Sequence, residues 1–421
     1  MYIAALNKTT TLCISTIFLL INSYCCVAQI QGCTDVLASN YNAAATNNNG
    51  SCTYSVTNYT PPIQVSSISS TLDETSGLQI VNKDLWTFND SGGDPAIYKI
   101  DSLTNTILQK VTIGGATNID WEDIAYDGTY LYIGDFGNND NGARTNLRIY
   151  KIPVAAIPPH STNATYTIAA NLVQVINFTY ADQPQPPVAQ SNTNNIKYDC
   201  EAMLVDSGKI HLFTKDRVNF STTHYIINST NAGTYALLPV ETLATNYLVT
   251  AADKAPNQNV IILFGYQKTG VALHFIHLLS NYNNGQFFNG NKRLLNLPDV
   301  TIMGQGEGIT FRDDSTGYIS NEQVNAGITI PQRLRFFNIG GYISSWVKRY
   351  TFIGTGNWSI ESNWKNNHKP PTILPPQAEI IIDPLATGQC ILDIPYTIPT
   401  SCKIAVLNNK KFLVQGNLSI Q

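Results

Sequence analysis

Short runs of alternating apolar and polar residues extend along most of the chain. Runs such as AIYKI (96–100), LRIYKI (147–152) and KIHLFT (209–214) are rich in Ile, Tyr and Thr, and turn residues such as Gly, Asn and Asp lie between the runs. Short period-two runs bounded by turn residues are typical of β-strands joined by tight connections. The pattern predicts an all-β fold.

A longer composite pattern repeats from Ile63 to about Ile353. Each copy opens with a small or acidic pair, continues through an apolar strand and a turn, and ends its second strand on polar residues. The steps between copies are 46, 79, 49 and 57 residues, for copies that begin at Ser76, Glu122, Glu201, Thr250 and Glu307. Steps near 45 residues are typical of one four-stranded propeller blade, whereas a β-sandwich array does not explain the repeat. We predict a five-bladed β-propeller, with six blades as the alternative because of the 79-residue step.

The two flanks of the repeat predict how the chain is divided. The strand IQVSSIS (63–69) is expected to complete the last blade and close the ring, since closure removes exposed sheet edges. The predicted units are a signal peptide (1–28), a small Cys-bracketed module (29–54), a linker (55–62), the propeller (63–353) and a β-solenoid-like segment (354–421).

The first 28 residues have the features of an export signal. Lys8 precedes the apolar run LCISTIFLLI (12–21), which is too short to span a bilayer and is followed by the small pair Val27-Ala28. A lipoprotein acylated at Cys25 or Cys26 is the alternative, although Tyr24 stands where such a motif needs a small residue. We expect a secreted or cell-surface protein.

Export makes disulfides plausible in the mature chain. Cys33 and Cys52 bracket the small module, and Cys390 and Cys402 bracket an apparent hairpin, so both pairs are expected to be bridged. Cys200 remains, and we interpret it as a buried thiol.

Composition narrows the possible partners. Charged residues make up 13% of the chain, and 25 Lys and Arg stand against 29 Asp and Glu. Without a basic surplus, binding to nucleic acid is not expected. We expect a monomer whose mature chain has no transmembrane segment.

Acidic and polar residues mark the strand ends that a propeller would bring to one mouth of its channel. Strand starts supply a candidate metal set, and oxygen-only ligands favour calcium: Glu122, Asp123, Asp135 (a strand end), Glu201 and Glu307. The other strand ends supply a candidate ligand-binding set: Asn89, Asp90, Lys215, Asp216, Arg217, Asn321 and Glu322. The alternative for the acids is that they cap backbone N–H groups and join neighbouring blades. Asp35, Asn40, Asn42 and Asn49 of the small module offer a similar choice between calcium ligands and turn formers.

Other signatures of catalysis are absent from the sequence. It has no G-x-S-x-G elbow, H-E-x-x-H helix or phosphate-binding Gly-Lys-Ser/Thr loop. His274 and His277 are interpreted as packing residues. Trp358 and Trp364 are the positions best suited to stacking on a sugar.

Four motifs resemble a family of secreted bacterial β-propellers, most of which have no assigned activity: E-x-S-G-L (74–78), N-D-S-G-G-D-P-x-I-Y (89–98), D-W-E-D-I-A (120–125) and L-Y-I-G-D-x-G-N-N (131–139). The resemblance continues through D-C-E-A-M (199–203) and L-F-T-K-D (212–216). The module G-C-x-D…N-G-S-C-x-Y resembles an accessory unit of secreted bacterial proteins, and the tail, with G-x-W…N-W and G-N-L-x-I, resembles a β-solenoid module.

The layout is also similar to the calcium-dependent propellers of the phytase and lactonase kinds. That likeness implies calcium near the channel mouth, with ligands from Glu122, Asp135, Glu201 and Glu307. It also implies that Lys215 and Arg217 bind a phosphate or polarise a carbonyl, although the denser acid and base pattern of phytases is missing.

Two functions follow as hypotheses. The first is a secreted binding or adhesion protein for glycans, peptides or surface proteins. The alternative is a calcium-dependent hydrolase of a phosphoester, lactone or ester with its site at the channel mouth.

Overall fold

The computed structural model describes residues 29–104, 106–268, 270, 272–283, 285–325, 329–343, 349–374, 378–400 and 402–421. The expected signal peptide, with the alternative acylation sites Cys25 and Cys26, lies outside these residues. None of the helices in the described ranges is long and apolar enough to cross a membrane.

Five antiparallel sheets form a five-bladed propeller, which confirms the predicted fold and the smaller blade number. The innermost strand of each sheet contacts the innermost strand of the next, and the fifth contacts the first, so the ring is closed. In ring order these strands are Thr75–Val81, Trp121–Tyr126, Cys200–Asp206, Leu248–Lys254 and Gln305–Phe311.

The first three blades differ in their outer edges. Blade 1 continues through Asp84–Asn89, Ala96–Ile100, Ile107–Ile113 and a parallel edge strand, Thr165–Ile168. Blade 2 continues through Tyr130–Asp135, Arg148–Pro153, Gln174–Tyr180 and a parallel edge strand, Gly233–Leu237. Blade 3 continues through Lys209–Thr214, Thr222–Ile227 and Pro239–Leu243. The 79-residue step therefore holds an added edge strand and a loop, and no sixth blade.

The last two blades take strands from the N-terminal side of the repeat. Blade 4 continues through Val260–Tyr266, Leu273–Ser280, Asn291–Asp299 and the short parallel strand Thr57–Asn58. Blade 5 continues through Thr316–Glu322, Arg333–Asn338 and Ile63–Val65. The strand Ile63–Val65 pairs antiparallel with Arg333–Asn338, so the predicted closure of the ring is confirmed.

Few other elements occur in the described part of the propeller and the N-terminal module. One short α-helix spans Val300–Met303. Single 3-10 turns span Ser70–Leu72, Val154–Ala156, Ala170–Leu172, Thr193–Asn195 and Phe287–Asn289. Two-residue strands are Gln31–Gly32, Asn47–Asn48, Val324–Asn325 and Thr329–Ile330.

Aromatic side chains fill the spaces between blades. Phe88 of blade 1 and Trp121 of blade 2 are fully buried and meet edge to face, with ring centroids 5.4 Å apart. The indole N–H of Trp121 donates to the Thr117 carbonyl at 2.9 Å, so its polar atom is satisfied. Aromatic rings bury a large apolar area in this geometry, and they stabilise the packing of one blade on the next.

The N-terminal module is closed by the predicted disulfide between Cys33 and Cys52. Its polar residues act within the module, as turn formers would. Asp35 accepts hydrogen bonds from the Leu37 N–H at 2.8 Å and the Tyr54 hydroxyl at 2.7 Å. The three asparagines accept hydrogen bonds from backbone N–H groups of the same module: Asn40 from Thr53, Asn42 from Ala44 and Asn49 from Ser51.

The C-terminal segment is built from parallel strands stacked in rungs, as the predicted β-solenoid-like fold requires. Its sheets are Arg349–Phe352 with Glu379–Ile382 and Lys403–Val406, Gly356–Asn357 with Gln389–Leu392 and Lys411–Val414, and Tyr396–Ile398 with Leu418–Ile420. Two 3-10 turns, Glu361–Asn363 and Lys365–Asn367, lie between the first two rungs. The first strand begins at Arg349, before the expected boundary at 354.

Two predictions for this segment need correction. Cys390 and Cys402 are not joined by a disulfide. Cys390 lies in the sheet of Gln389–Leu392, whereas Cys402 precedes a strand of a different sheet, because the expected hairpin is a parallel rung. The second correction concerns Trp358 and Trp364, which are buried in the core of the segment and offer no exposed ring to a sugar.

Candidate functional site

Every blade has an irregularity at the same place, where its first strand pairs with its second. The register between these strands slips at the start of each blade. The residues passed over include Ser76, Glu122, Glu201, Thr250 and Glu307. A β-bulge turns a side chain away from the regular pleat, and here it occurs at the first position of each repeat.

Seven carboxyl groups from four blades gather at this end of the propeller. We call this group the axial acid cluster: Asp90, Asp120, Glu122, Asp199, Glu201, Glu307 and Glu322. Two triads within it have carboxylate oxygens less than 4.8 Å apart, Asp90–Asp120–Glu122 and Glu122–Asp199–Glu201. Glu122 belongs to both triads and is 4% exposed.

The blade 3 side of the cluster is paired with basic residues. The Lys215 ammonium lies 2.9 Å from Glu201 Oε2, and Arg217 pairs with Asp199 and lies 3.6 Å from Glu201 Oε1. Burial lowers the pKa of Lys215, but the carboxylates of Glu201 and Glu307 outweigh it and hold that pKa well above its usual value. Lys215 therefore stays charged.

The blade 5 carboxyls share a neutral partner. The Gln305 amide donates to Glu307 Oε1 and to Glu322 Oε2, both at 2.8 Å. Burial, followed by the charges of Glu307 and Asp90, raises the pKa of Glu322 to about 9. This pair can therefore share a proton at neutral pH.

On the blade 2 side, no described basic residue forms an ion pair with Asp120 or Glu122, although the charge of Arg144, which pairs with Asp135, acts on Asp120. Glu122 Oε1 and Asp90 Oδ1 are buried and accept no hydrogen bond from any described residue. A methyl group on Gly137 would collide with Glu122 Oε1 and Asp120 Oδ2, so a bare backbone packs against these carboxylates. An unpartnered buried carboxylate oxygen costs on the order of 1–3 kcal/mol, and a bound cation removes that cost.

In the triad Asp90–Asp120–Glu122, burial and the closeness of other carboxylates raise the pKa values. Burial, with the added charge of Asp120, raises the pKa of Asp90 to about 8. Burial and the charge of Asp199 raise the pKa of Asp120 to about 6. The pKa of Glu122 is raised well above its usual value by burial and by Glu201. Crowded carboxyls with raised pKa values are the environment that a divalent cation relieves.

Two predicted metal ligands have other partners. Asp123 accepts hydrogen bonds from the N–H groups of Ile124 at 2.8 Å, Met203 at 2.8 Å and Ala252 at 3.4 Å, which belong to blades 2, 3 and 4. Asp135 forms an ion pair with Arg144 at 2.8 Å. These contacts match the alternative prediction, in which acids join strands and blades.

Three residues of the predicted ligand-binding set hold loops together. Asp216 accepts hydrogen bonds from the N–H groups of Val218 at 2.8 Å and Asn219 at 3.0 Å. The side-chain amides of Asn89 and Asn321 donate to backbone carbonyls of nearby residues. The rest of that set, Asp90, Lys215, Arg217 and Glu322, belongs to the cluster or contacts it.

Sequence reasoning missed three residues of the site, Asp120, Asp199 and Gln305. Each lies two positions before a predicted glutamate, in the segments D-W-E, D-C-E and Q-G-E. A β-bulge interrupts the regular alternation at these glutamates, so the available signal was the recurrence, in three blades, of an acid or amide two positions before the glutamate.

Two loops cover the cluster on the side of blades 2 and 3. The Asn138 N–H donates to Asp199 Oδ1 at 2.7 Å, and the Asn138 side chain donates to the Tyr198 carbonyl at 2.9 Å. The Gln183 side chain donates to the Gly142 carbonyl at 3.1 Å. The loops 136–147 and 181–199 are thereby tied together above the acids, which explains why these polar groups are buried.

Comparisons with known proteins find solved structures that are similar at low sequence identity and low TM-score. No protein-family model and no curated protein matches the chain. The PQQ-bound aldose sugar dehydrogenase of Streptomyces coelicolor is similar at 10% identity and a TM-score of 0.36, over 66% of this chain and 99% of that one. A putative 6-phosphogluconolactonase of Bacteroides uniformis is similar at 11% identity and a TM-score of 0.32, over 64% and 74%. A solved glycoside hydrolase is similar at 9% identity and a TM-score of 0.38, over 66% and 62%. With TM-scores this low, we draw no conclusion about chemistry from these structures.

Proposed function

We propose that this chain is an extracellular calcium-binding protein that uses a cation in the axial acid cluster to bind its ligand at the channel mouth. The observation that carries the proposal is Glu122 Oε1, a buried carboxylate oxygen that no described residue satisfies. It faces Asp120 across the bare backbone of Gly137. A cation bound there supplies the missing partner.

The triad Asp90–Asp120–Glu122 is the better of the two candidate sites. In the other triad, Asp199 and Glu201 already pair with Arg217 and Lys215, whose positive charges oppose a second cation. All the side chains of the favoured triad offer oxygen, which suits calcium and disfavours zinc.

The extracellular location is part of the proposal. A disulfide in the small module is compatible with an oxidising compartment, and the first 28 residues have the sequence of an export signal. The propeller would then present its mouth, with the ion, to a glycan, a peptide or another surface protein.

A second candidate function is a calcium-dependent hydrolase. It is favoured by the position of Lys215 and Arg217, which border both the acids and a neighbouring cavity. Positive side chains beside a cation can stabilise charge that develops on a phosphoryl or carbonyl oxygen. This candidate predicts turnover of a phosphoester, lactone or ester that a chelator abolishes and calcium restores.

The proposal is tested by metal analysis and melting of the purified mature protein. Calcium should co-purify or bind on addition and raise the melting temperature, because a ligand that binds the native state stabilises it. Glu122→Gln should lose that increase. Glu361→Gln, which changes an exposed carboxylate in the C-terminal segment, serves as the matched control and should keep it. A calcium response that is equal in all three proteins, or absent from the wild type, would refute the proposal.

A further inference from the structure

A cavity of about 270 Å³ lies beside the axial acid cluster, on the side of blades 3 and 4. Its walls include Lys215 and Arg217 from the end of blade 3 and Lys268 from the loop that follows Val260–Tyr266. Leu248 occupies the blade 4 position that corresponds to Asp120 and Asp199 in blades 2 and 3. Because blade 4 lacks acids there, the cavity can be basic although the neighbouring cluster is acidic.

The charge of the lining is one-sided. Three lining residues are positively charged, and none is acidic; a fourth basic residue, His274, is neutral because burial lowers its pKa to about 4. Burial, with the charges of Arg217 and Lys215, lowers the pKa of Lys268. The charges of Lys215 and Arg217 therefore act unfavourably on the Lys268 ammonium, and an anion bound among the three groups would relieve this repulsion.

Hydrogen-bond donors remain available on these groups. Among the described residues, Lys215 donates to Glu201, and Lys268 donates to the Asn194 side chain at 3.0 Å. Each ammonium carries three N–H donors, so further donors can reach a ligand. Arg217 has five donors and pairs with Asp199 and Glu201 on its other side.

The rest of the lining suits a small carbon skeleton. Leu248 and the ring of Tyr266 form an apolar part of the wall. The Lys215 ammonium lies over the Tyr266 ring, 5.4 Å from its centroid, so its position is fixed from two sides. Gln305 lines the cavity and donates a hydrogen bond to Glu307 of the axial acid cluster, so it links the two.

We propose that this cavity is an anion subsite for a small molecule that bears a phosphate or carboxylate group. The anionic group is bound by Lys215, Arg217 and Lys268, and the carbon skeleton lies against Leu248 and Tyr266. The inference deepens the proposed function, on which it rests for the neighbouring cation. It narrows the ligand of the proposed function to one whose bound group is anionic, such as an acidic sugar of a glycan or a carboxylate of a peptide, and it excludes an uncharged sugar.

The test compares three probes that share a hexose ring: glucose 6-phosphate, glucuronate and glucose, with inorganic phosphate as a smaller probe. Binding to the mature protein is measured by titration calorimetry. At least one of the three anions should bind while glucose does not, and the stronger of the first two identifies the phosphate or the carboxylate as the preferred group. Binding should weaken at high salt.

A matched pair of variants assigns the binding to the cavity. Lys268 is exposed, so Lys268→Gln should fold normally and weaken anion binding by about threefold to tenfold. Lys403→Gln, whose side chain is 80% exposed in the C-terminal segment, should bind as the wild type does. Equal binding of glucose, no binding of any anion, or the same affinity in Lys268→Gln as in Lys403→Gln would overturn the inference.

Repeating the titration in calcium and in chelator separates this inference from the proposed function. Anion binding that depends on Lys268 in both buffers supports the subsite even if the protein binds no calcium. Calcium binding without anion binding refutes the subsite alone.

Discussion

Glu122 and Asp123 are consecutive and almost fully buried, yet they lie in two different kinds of environment. Asp123 accepts hydrogen bonds from three backbone N–H groups that belong to three blades. Glu122 points into a group of like charges, and one of its oxygens has no hydrogen-bond partner among the described residues. Burial alone therefore does not distinguish a structural acid from a candidate ligand.

The difference shows which acids stabilise the fold and which leave room for an ion. Asp253 follows the pattern of Asp123, since it accepts hydrogen bonds from the Phe311 N–H and the Thr310 hydroxyl of the next blade. These two aspartates join blades through hydrogen bonds. The triad around Glu122 is also held in place, but oxygens of Glu122 and Asp90 lack a hydrogen-bond partner among the described residues. Substitutions that change one of these environments at a time can separate the two roles.

The largest loss of stability is expected for Asp123→Ala. The change leaves three buried N–H groups without their acceptor, and it should lower the free energy of unfolding by roughly 3–5 kcal/mol with or without calcium. Urea unfolding measures the loss. Asp123→Asn, which keeps one acceptor oxygen, should lose less, and a loss below about 1 kcal/mol in Asp123→Ala would contradict the structural role.

A somewhat smaller loss is expected for Glu201→Gln. The change leaves the Lys215 ammonium buried without its closest counter-charge, and a broken buried pair costs about 3 kcal/mol or more. The double variant Glu201→Gln/Lys215→Met should recover part of this loss. If the double variant is less stable than Glu201→Gln, the pair does not act as described.

Glu122→Gln should have the opposite profile. In chelator its stability should equal or exceed that of the wild type, because the change removes a crowded charge. The calcium-dependent gain should disappear, which amounts to about 2.7 kcal/mol at a calcium concentration one hundred times the Kd. Unfolding in chelator and in calcium gives both values, and a retained gain would remove Glu122 from the site.

The smallest effect concerns a buried pair away from the cluster, His211 and His224, whose ring nitrogens lie 2.8 Å apart. Burial and the neighbouring His224 lower the pKa of His211 to about 3, from an ordinary value of 6.5. Between pH 6.5 and pH 3, His211 is therefore protonated in the unfolded chain but not in the native state. The free energy of unfolding falls as the pH drops through this range. At pH 5.5 this amounts to about 1.4 kcal/mol.

His211→Asn should flatten this part of the dependence of the unfolding free energy on pH. His160→Asn is the matched control, because that histidine lies near the surface beside Lys99. If the slopes of the two variants are the same, His211 is not the group that titrates.

The sequence predicted much of the fold because blade spacing and period-two strands are local signals. It placed Glu122, Glu201, Glu307 and Asp90 at one end of the ring, where the structure gathers them. It could not separate Glu122 from Asp123. The β-bulge decides which of these two adjacent side chains turns towards the axis, and no particular residue type marks a bulge in the sequence. Asp120 could have been predicted from the recurrence of an acid or amide two positions before the glutamate.

The second feature that the alternation of apolar and polar residues does not predict is whether two strands pair in parallel or antiparallel. Residues 390–402 read as a hairpin between two cysteines, since a strand has the same alternation whether its neighbour is parallel or antiparallel. In the structure the two strands of this stretch, Gln389–Leu392 and Tyr396–Ile398, pair in parallel with strands of the next rung. Stacking with distant rungs decides their pairing, and the disulfide prediction failed for that reason.

A crystal structure of the mature protein grown with calcium, with anomalous scattering used to locate the ion, would show whether the axial acid cluster binds calcium. The account predicts a single anomalous peak in the axial acid cluster, about 2.3–2.6 Å from oxygens of Asp90, Asp120 and Glu122. A cluster without a peak, or a peak bound by Asp123 or Asp135 in place of their present partners, would contradict it.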